Sequence, residues 1–342
     1  MVCHLERLAL SAGLSVKRQR VVRGRDNLLV TLPARGRRHH RVILAPHLDT
    51  IGAEEPQLTG KRIGNRIHGR GACDTKGCVA AMFYALLELA KDSQRPDGLE
   101  VLFVGLADEE NEQLGSRAFA RRCPDADLAI IGEPTRLRVV TAHKGDFWMQ
   151  LETEGKAAHG SRPELGQNAV KRMASVILGL ESEYAELLKA QHHPLLGHPT
   201  INVGWVQGGS QPNVVPDRCV VQVDRRTLPG ERWNAVKGEI VRVGKAAGVR
   251  VKVTDIRGHP TPALETDPTL PAVRTFMKAT GQRRTYGVDY FCDAALIAES
   301  GVPCVVYGPG DIAQAHTTDE WIAIPSLETG TKRLERYLRS LG

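Results

Sequence analysis

The segment VLFVGLADEENE, residues 101–112, constrains the fold more than any other part of the chain. Its first half is an unbroken apolar run with β-branched and aromatic residues, which predicts a fully buried strand. The run ends in a cluster of carboxylates, Asp108, Glu109, Glu110 and Glu112. Ligand sites in open α/β sheets lie just outside the carboxyl ends of the strands. Clustered carboxylates repel one another unless a cation or a proton lies among them, so this segment predicts either a cation site or a solvated acidic loop.

Two other apolar runs end in side chains that bind metals. His47 and Asp49 follow the run RVILA, and Glu133 follows the strand predicted at 126–131. Residues two apart in an extended chain face the same side, so Asp49 can hold the ring nitrogen of His47 that points away from a metal. Pro134 restrains Glu133 to an extended conformation, which is typical of a loop. Taken singly, a His-x-Asp sequence is more often a satisfied turn than a ligand pair.

Two further candidates lie in glycine-containing loops. Asp74 lies in GRGACDTKG, residues 69–77, directly before a helix predicted at 78–91. Taken alone, Asp74 is better explained as an N-cap or first-turn carboxylate, and the spacing GxxxxGK[ST] of a phosphate-binding loop is absent. His316 follows the strand predicted at 302–307 and the loop Gly308-Pro309-Gly310.

Together these positions make up a complete donor set for two metal ions: His47, Asp74, Glu109, Glu110, Glu133 and His316. Two histidines with several carboxylates suit zinc, with manganese or cobalt as alternatives. Two ions about 3.5–4 Å apart need a bridging carboxylate and two terminal ligands each. Five of the six residues meet that requirement, and the sixth can take a proton from the attacking water.

The domain organisation follows from a change in periodicity. Helices and buried strands alternate up to residue 143, and from residue 144 apolar and polar residues alternate as in a half-exposed antiparallel strand. The order β-α-β-β-α-β over 144–257 is that of a ferredoxin-like domain. We therefore predict an α/β catalytic domain with a mostly parallel sheet, formed by residues 1–143 and 258–342, and an inserted α+β dimerisation or lid domain at 144–257.

Composition narrows the class of protein and its partners. The 342 residues favour two domains, and 42% apolar with 25% charged residues are ordinary for a soluble protein. No apolar run is long enough to span a bilayer, and the first residues make a poor secretory signal. The seven cysteines are an odd number and are scattered without the spacing of a disulfide framework, which fits a reducing compartment, so we expect a cytoplasmic protein. The net charge is +7, but the sequence has no block of basic residues interleaved with aromatic ones, so we expect no nucleic-acid partner. The excess positive charge can attract an anionic small substrate.

The chain resembles the M20 family of di-zinc amidohydrolases and peptidases, close to acetylornithine deacetylase, succinyl-diaminopimelate desuccinylase and glutamate-releasing carboxypeptidase. The resemblance covers nearly the whole chain, and the motifs occur in family order. The matching segments are HLD at 47–49, GRGACDTKG at 69–77, DEE at 108–110, GEPT at 132–135, AHGS at 158–161, NVVPD at 213–217 and AHTTDEW at 315–321.

The resemblance implies roles for the residues of the metal centre. His47 and Glu133 resemble the ligands of one zinc, Glu110 and His316 resemble those of the other, and Asp74 resembles the bridging aspartate. By the same resemblance, Asp49 orients His47 and Glu109 is the general base.

The resemblance also implies roles outside the metal centre. His159 resembles a residue that reaches the partner subunit's active site and stabilises the oxyanion. Asn213 and Arg226 match positions that hold the substrate carboxylate or the oxyanion, and Gly308 to Gly310 match a loop beside the substrate. Family members usually have an additional helix and loop before the part that Val2 to Leu14 matches, so we expect a shortened N-terminus or a misplaced start codon.

The activity implied is hydrolysis of an amide bond through a metal-bridging water, with two divalent ions per chain. The expected substrate is an N-acyl amino acid or a small peptide with a free carboxylate, and the expected assembly is a homodimer formed through the inserted domain. A di- or tripeptidase and a non-catalytic binding protein on the same scaffold are the alternatives.

Overall fold

The computed structural model describes all 342 residues, which form two compact units. Unit 1 comprises Met1–Ala142, Glu265–Gly287 and Cys292–Gly342, and unit 2 comprises His143–Leu264 and Val288–Phe291. The chain thus enters unit 2 one residue before the boundary predicted after residue 143, and it returns to unit 1 later than the boundary predicted after residue 257. The predicted α/β class with an inserted α+β domain is confirmed. The dimerisation or lid role of the insert stays a prediction.

The structure contains ten α-helices. The helices are α1 Val2–Ser11, α2 Glu55–Leu58, α3 Gly77–Lys91, α4 Leu114–Ala120, α5 Ala169–Gly179, α6 Ala185–Lys189, α7 Trp233–Ala246, α8 Pro271–Thr280, α9 Ala294–Ala298 and α10 Ile324–Arg339. Short helical turns lie at Ala72–Lys76, Pro163–Leu165, Leu180–Tyr184 and Ile312–Gln314.

The strands form three sheets. They are β1 Ser15–Val22, β2 Arg25–Leu32, β3 His40–Pro46, β4 Lys61–Ile63, β5 Arg66–His68, β6 Leu99–Gly105, β7 Leu128–Gly132, β8 Val140–His143, β9 Gly145–Glu154, β10 Thr200–Gly208, β11 Arg218–Thr227, β12 Lys252–Asp255, β13 Leu264–Glu265, β14 Tyr286–Val288, β15 Cys304–Val306 and β16 Trp321–Ala323.

The nine-stranded sheet has the order β1-β2-β6-β3-β7-β15-β8-β13, with β14 paired to β8. Its four central strands, β6, β3, β7 and β15, run parallel, and β1 and β2 add an antiparallel edge. Residues of these central strands are almost completely buried, as expected for a parallel sheet covered by helices on both faces. Parallel strands bring their carboxyl ends to one edge of the sheet, and this edge positions the candidate site.

Aromatic contacts consolidate the core of unit 1. The rings of Phe83 and Phe103 meet edge to face at 5.0 Å, which joins α3 to β6. The ring of Phe276 on α8 lies 5.1 Å from that of Tyr307 and 4.9 Å from that of Tyr337 on α10. Edge-to-face pairs of this kind add about 0.5–1.5 kcal/mol each beyond the burial of their area.

Unit 2 contains a four-stranded antiparallel sheet in the order β10-β11-β9-β12. The predicted alternation on β9 is observed, since Phe147, Met149 and Leu151 pack in one cluster with residues of α5 and α7. The β-α-β-β-α-β order and this strand order are those of a ferredoxin-like domain.

Several elements lie outside the sequence prediction. The first helix ends at Ser11 and is followed by β1, a strand of mostly exposed residues that carries no apolar run. The three-stranded sheet β16-β5-β4 is also unpredicted, and it joins residues 321–323 to residues 66–68. None of the helices is both long enough and apolar enough to cross a bilayer.

Candidate metal centre

The ends of three parallel strands supply most of the candidate ligands. Residues Pro46 of β3 and Gly132 of β7 are paired in register, so His47 and Glu133 emerge side by side. A bridge between His47 and Leu106 places the acidic segment after β6 next to them. These segments therefore lie next to one another at one edge of the sheet.

His47, Asp74 and Glu133 form the first group of donors. The Nε2 atom of His47 lies 3.1 Å from Oδ1 of Asp74 and 3.8 Å from Oε1 of Glu133. The Nδ1 atom of His47 lies 3.1 Å from the backbone carbonyl of Asp49, an oxygen that can only accept. Nδ1 therefore carries a proton, and Nε2 faces the carboxylates, which is the side from which a metal would replace its proton.

Asp74, Glu110 and His316 form the second group. The Nε2 atom of His316 lies 3.0 Å from Oε2 of Glu110 and 3.5 Å from Oδ2 of Asp74. Asp74 thus directs one carboxylate oxygen to each histidine, as a bridging ligand must. The donor atoms of His47, Asp74 and Glu110 all lie within 4.8 Å of one another.

The donor set fits divalent cations. Burial raises the pKa of Glu109 and that of Glu133 well above the usual range, and neighbouring carboxylates raise both further. Burial likewise raises the pKa of Glu110, whose Oε1 atom is buried without a hydrogen-bond partner. Burial acts to lower the pKa of His47, but hydrogen bonds with Asp49 and Asp74 raise it on balance. Positive charge within the cluster would offset the desolvation of these carboxylates.

Asp49 contacts His47, and it also holds the acidic segment in place. Its two carboxylate oxygens accept hydrogen bonds from the backbone N–H groups of Glu109 and Glu110, each at 3.2 Å. The Nδ1 atom of His47 is 3.5 Å from Oδ1 of Asp49, farther than from the backbone carbonyl of the same residue. The contact predicted to orient His47 is therefore made more closely by the main-chain carbonyl of Asp49 than by its side chain.

Asp108 stabilises the same segment from its other side. It is buried, adopts a positive φ of 70°, and accepts hydrogen bonds from the backbone of Glu112 and Leu114 at 3.3 and 3.5 Å. Arg25 on β2 donates to its other oxygen. Asp49 and Asp108 together hold the loop that presents Glu109 and Glu110.

Two buried carboxylates near the centre were missed by the sequence analysis. Glu320 lies four residues after His316 and accepts hydrogen bonds from the segment that contains Asp74. Asp293 accepts a hydrogen bond from Gln113 at 3.2 Å, and burial raises its pKa to about 6. Glu320 belongs to the quoted motif AHTTDEW, which is the one signal that could have identified it.

His159 lies in unit 2, in an exposed loop. Its Nδ1 atom is 2.7 Å from Oγ of Ser161 and 3.2 Å from the backbone nitrogen of Ser161. A backbone N–H can only donate, so Nδ1 is the acceptor and the neutral ring carries its proton on Nε2. His159 can thereby offer an Nε2–H donor to a ligand.

The other two candidates of unit 2 are Asn213, in the loop between β10 and β11, and Arg226, on β11. The backbone carbonyl of Asn213 accepts a hydrogen bond from Gly160 at 2.7 Å, so the loops of Asn213 and His159 are adjacent. Arg226, at the end of β11, donates from Nη2 to Asp224 at 2.9 Å and packs over the ring of Phe291.

Gly308 and Gly310 support the ligand segments by close packing in unit 1. A Cβ atom at Gly308 would lie 2.6 Å from the backbone oxygen of Glu133. Gly310 has a φ of 95°, and a Cβ there would lie 2.5 Å from Sγ of Cys73. Any side chain at either position would displace a segment that carries a metal-ligand candidate.

A cleft within unit 1 borders the centre. Its volume is about 720 Å³, and its lining includes Asp49 and Glu110 together with Arg18 and Arg25. A small molecule can therefore approach the acidic segment from this side.

Comparison with known proteins gives a consistent result. The model of peptidase family M20/M25/M40 matches residues 43–340. The acetylornithine deacetylase of Vibrio cholerae serotype O1 is 30% identical over 339 residues, covering 96% of this chain and 87% of that protein.

Solved structures share the fold. The aminopeptidase PepT of Bacillus cereus superposes with a TM-score of 0.81 at 22% identity, covering 98% of this chain and 91% of that one. The YXEP protein of Bacillus subtilis, a dinuclear metal-binding peptidase, superposes with a TM-score of 0.73 at 15% identity, covering 99% of this chain and 91% of that one.

Proposed function

Because this chain belongs to peptidase family M20/M25/M40, and is thus a metal-dependent amide hydrolase, we propose that it removes the acyl group from an N-acyl amino acid with a free carboxylate. The observation that carries the proposal is the position of Asp74 between the two histidines, 3.1 Å from His47 and 3.5 Å from His316. This arrangement supports a centre for two divalent ions, and the mixed nitrogen and oxygen donors favour zinc, with cobalt or manganese as alternatives.

The chain's own residues have separate tasks in this reaction. Bound divalent ions would polarise the scissile carbonyl and lower the pKa of the attacking water. Glu109 is buried beside the proposed metal ligands, but it is not one of the five residues assigned as ligands. Its carboxylate is therefore free to take a proton from that water and deliver it to the departing amine. We expect His159 to donate from Nε2 to the developing oxyanion in the partner subunit's site, and Asn213 and Arg226 to hold the substrate carboxylate or the oxyanion.

The test is a comparison of metal content and turnover. Wild-type protein loaded with zinc should contain about two ions per chain and hydrolyse acyl-amino acids. Glu109→Gln should retain both ions but lose a factor of roughly 10²–10⁴ in kcat, because it removes a proton carrier and no ligand. Full turnover in Glu109→Gln would refute its role as the base. Tight metal binding without hydrolysis of any amide by the wild type would support the binding-protein alternative.

The proposed substrate class is inferred from the names of the proteins that this chain is similar to. Acetylornithine deacetylases at 30% identity favour a deacylase, whereas the peptidases among the solved structures are less than 25% identical. Matched panels of N-acetyl and N-succinyl amino acids, dipeptides and tripeptides should give the highest kcat/KM for an acyl-amino acid. A tripeptide as the best substrate would contradict the deacylase assignment.

A homodimer formed through unit 2 is part of the proposal. Strand β10 lies at the edge of its sheet, and its nine residues include no charged residue and no proline. Edge strands normally carry such residues to prevent pairing with another chain, and Trp205 and Val206 on β10 are exposed. Val206→Lys should convert a dimer to monomers in analytical ultracentrifugation. Val241→Lys, on an exposed position of α7, is the matched control and should remain dimeric.

Subunit mixing tests whether His159 acts across that dimer. His159→Ala and Glu109→Ala homodimers should each be nearly inactive. When equal amounts of the two variants are mixed and their subunits exchange, half of the dimers contain one subunit of each kind. Each mixed dimer has one intact site of two, so about a quarter of wild-type activity should return. If His159 acts within its own chain, no activity returns. Native mass spectrometry of the mixture verifies that subunits have exchanged.

We also propose a cytoplasmic location. All seven cysteines are free thiols, and five of them are buried, which suits a reducing compartment.

A further inference from the structure

The carboxylate of Glu320 is almost completely buried and accepts four hydrogen bonds. Oε2 accepts from Nη1 of Arg70 at 2.9 Å and from the backbone of Gly71 at 2.8 Å. Oε1 accepts from the backbone of Cys73 at 2.8 Å and from that of Asp74 at 2.9 Å. Hydrogen bonds to an ionised acceptor are about twice as strong as those between neutral groups. All four donors belong to the segment 70–74, which ends at the candidate bridging ligand.

The backbone of this segment is shaped around the carboxylate. Gly71 has a φ of 76°, which lets its own N–H group and those of Cys73 and Asp74 face one carboxylate. A Cβ atom at Gly71 would lie 2.5 Å from Cγ2 of Thr50, so only glycine fits here. Lys76 closes the turn by donating from Nζ to the carbonyl of Arg70 at 2.7 Å.

Glu320 also joins two ligand segments that are distant in sequence. Its backbone carbonyl accepts a hydrogen bond from Gly69 at 3.0 Å, and β16, which follows it, pairs with β5. His316 lies four residues before Glu320. Residues 66–74 are therefore bound to the segment that follows His316 through the side chain and main chain of Glu320 and through β16.

We propose that Glu320 is a positioning residue of the metal centre, whose carboxylate holds Asp74 in the bridging position and fixes it relative to His316. The inference rests on the proposed function, because it takes Asp74 and His316 as metal ligands. Glu320 itself contacts neither ion site, and it acts only through the segment it binds.

Glu320→Gln is the informative substitution because it preserves shape. The amide keeps one acceptor oxygen and places an NH₂ group opposite two N–H donors. Two of the four hydrogen bonds are lost, and the segment 70–74 must shift. Loss of such a partner behind a metal ligand typically weakens metal affinity or activity roughly 10–100-fold.

The experiment titrates metal-free protein with Co²⁺ and records the visible absorption spectrum. Glu320→Gln should bind Co²⁺ roughly 10–100-fold more weakly than wild type and show altered band positions or intensities. Glu328→Gln makes the same chemical change at an exposed position on α10 and should match wild type. The spectrum reports ligand geometry, which a residue with a merely structural role would leave unchanged in the folded protein.

An affinity and spectrum like those of wild type in Glu320→Gln would overturn the proposal. If this variant does not fold, Glu320→Asp provides the decision, because it keeps the charge but shortens the side chain by one methylene, so the carboxylate can no longer meet all four donors. An altered Co²⁺ spectrum in Glu320→Asp supports the proposal, and an unchanged one overturns it. Failure of the wild type to bind Co²⁺ at all would instead refute the proposed function.

Discussion

Replacing Asp49 with asparagine should uncouple the acidic segment from the rest of the centre. The two oxygens of Asp49 each accept one backbone N–H, from Glu109 and from Glu110, at 3.2 Å. Asparagine keeps one of these hydrogen bonds and turns an NH₂ group towards the other donor. The base and one metal ligand would then lose part of their common support.

The magnitude follows from the hydrogen bond that is lost. A hydrogen bond to a charged group contributes about 1.5–3 kcal/mol. The Asp49 side chain is 28% exposed, so water can replace part of the loss and the lower end of that range applies. The expected cost is about 1.5 kcal/mol, or about tenfold in kcat/KM. Asp49→Ala should cost more, because both N–H groups lose their acceptor.

The assay is steady-state hydrolysis of an acyl-amino acid at saturating zinc, together with metal content by mass spectrometry. Asp97→Asn, in an exposed turn, is the matched control and should behave as wild type. If Asp49→Asn stays within twofold of wild type in kcat/KM, the acidic segment does not depend on these hydrogen bonds and the reasoning is wrong.

Three further outcomes are expected. His316→Ala should bind about one ion fewer per chain and lose hydrolysis, as measured by elemental analysis beside a kinetic assay; two retained ions would exclude His316 as a ligand. Arg225→Ala should lower the free energy of unfolding by about 3–5 kcal/mol in urea titrations, because Arg225 is fully buried and its loss leaves Glu231 without its ion-pair partner. Stabilisation by zinc should grow as the pH rises above about 4.5, the ordinary pKa of glutamate. The raised pKa values of Glu109, Glu110, Glu133 and His47 mean that the metal-free folded state binds more protons than the unfolded chain, so it loses stability as these groups deprotonate. Calorimetric melting with and without zinc at pH 5.5 and 8 measures this, and an equal zinc-induced shift at both would contradict it.

The sequence predicted the features that depend on local pattern. Buried strands appear as apolar runs, and ligand-type residues directly after them identify the edge of the sheet where His47, Glu109 and Glu133 meet. The acidic segment illustrates the limit of such a pattern. Its composition indicates a cation site, but the acceptors that shape it, Asp49 and Asp108, act through backbone N–H groups that no sequence pattern reveals.

Features that depend on distant residues were not predictable. Strands β4, β5 and β16 have only three residues each, and their pairing joins parts of the chain that share no local signal. In the sequence, Glu320 is an acidic residue four positions after His316, and nothing local indicates that its four hydrogen-bond donors come from the segment that contains Asp74. Strand β1 is rich in charged residues because it lies at an edge, so its apolar periodicity is weak.

The position of β15 has a consequence for synthesis of the protein. This strand lies between β7 and β8 in the main sheet, yet the ribosome makes it about 170 residues after β7. At 5–20 residues per second the nascent chain waits roughly ten to thirty seconds with the outer edge of β7 unpaired. During that interval the whole of unit 2 can emerge and fold, whereas the central sheet and the loop of His316 cannot be completed. Chaperone binding should therefore concentrate on nascent chains in which β7 has left the exit tunnel and β15 has not.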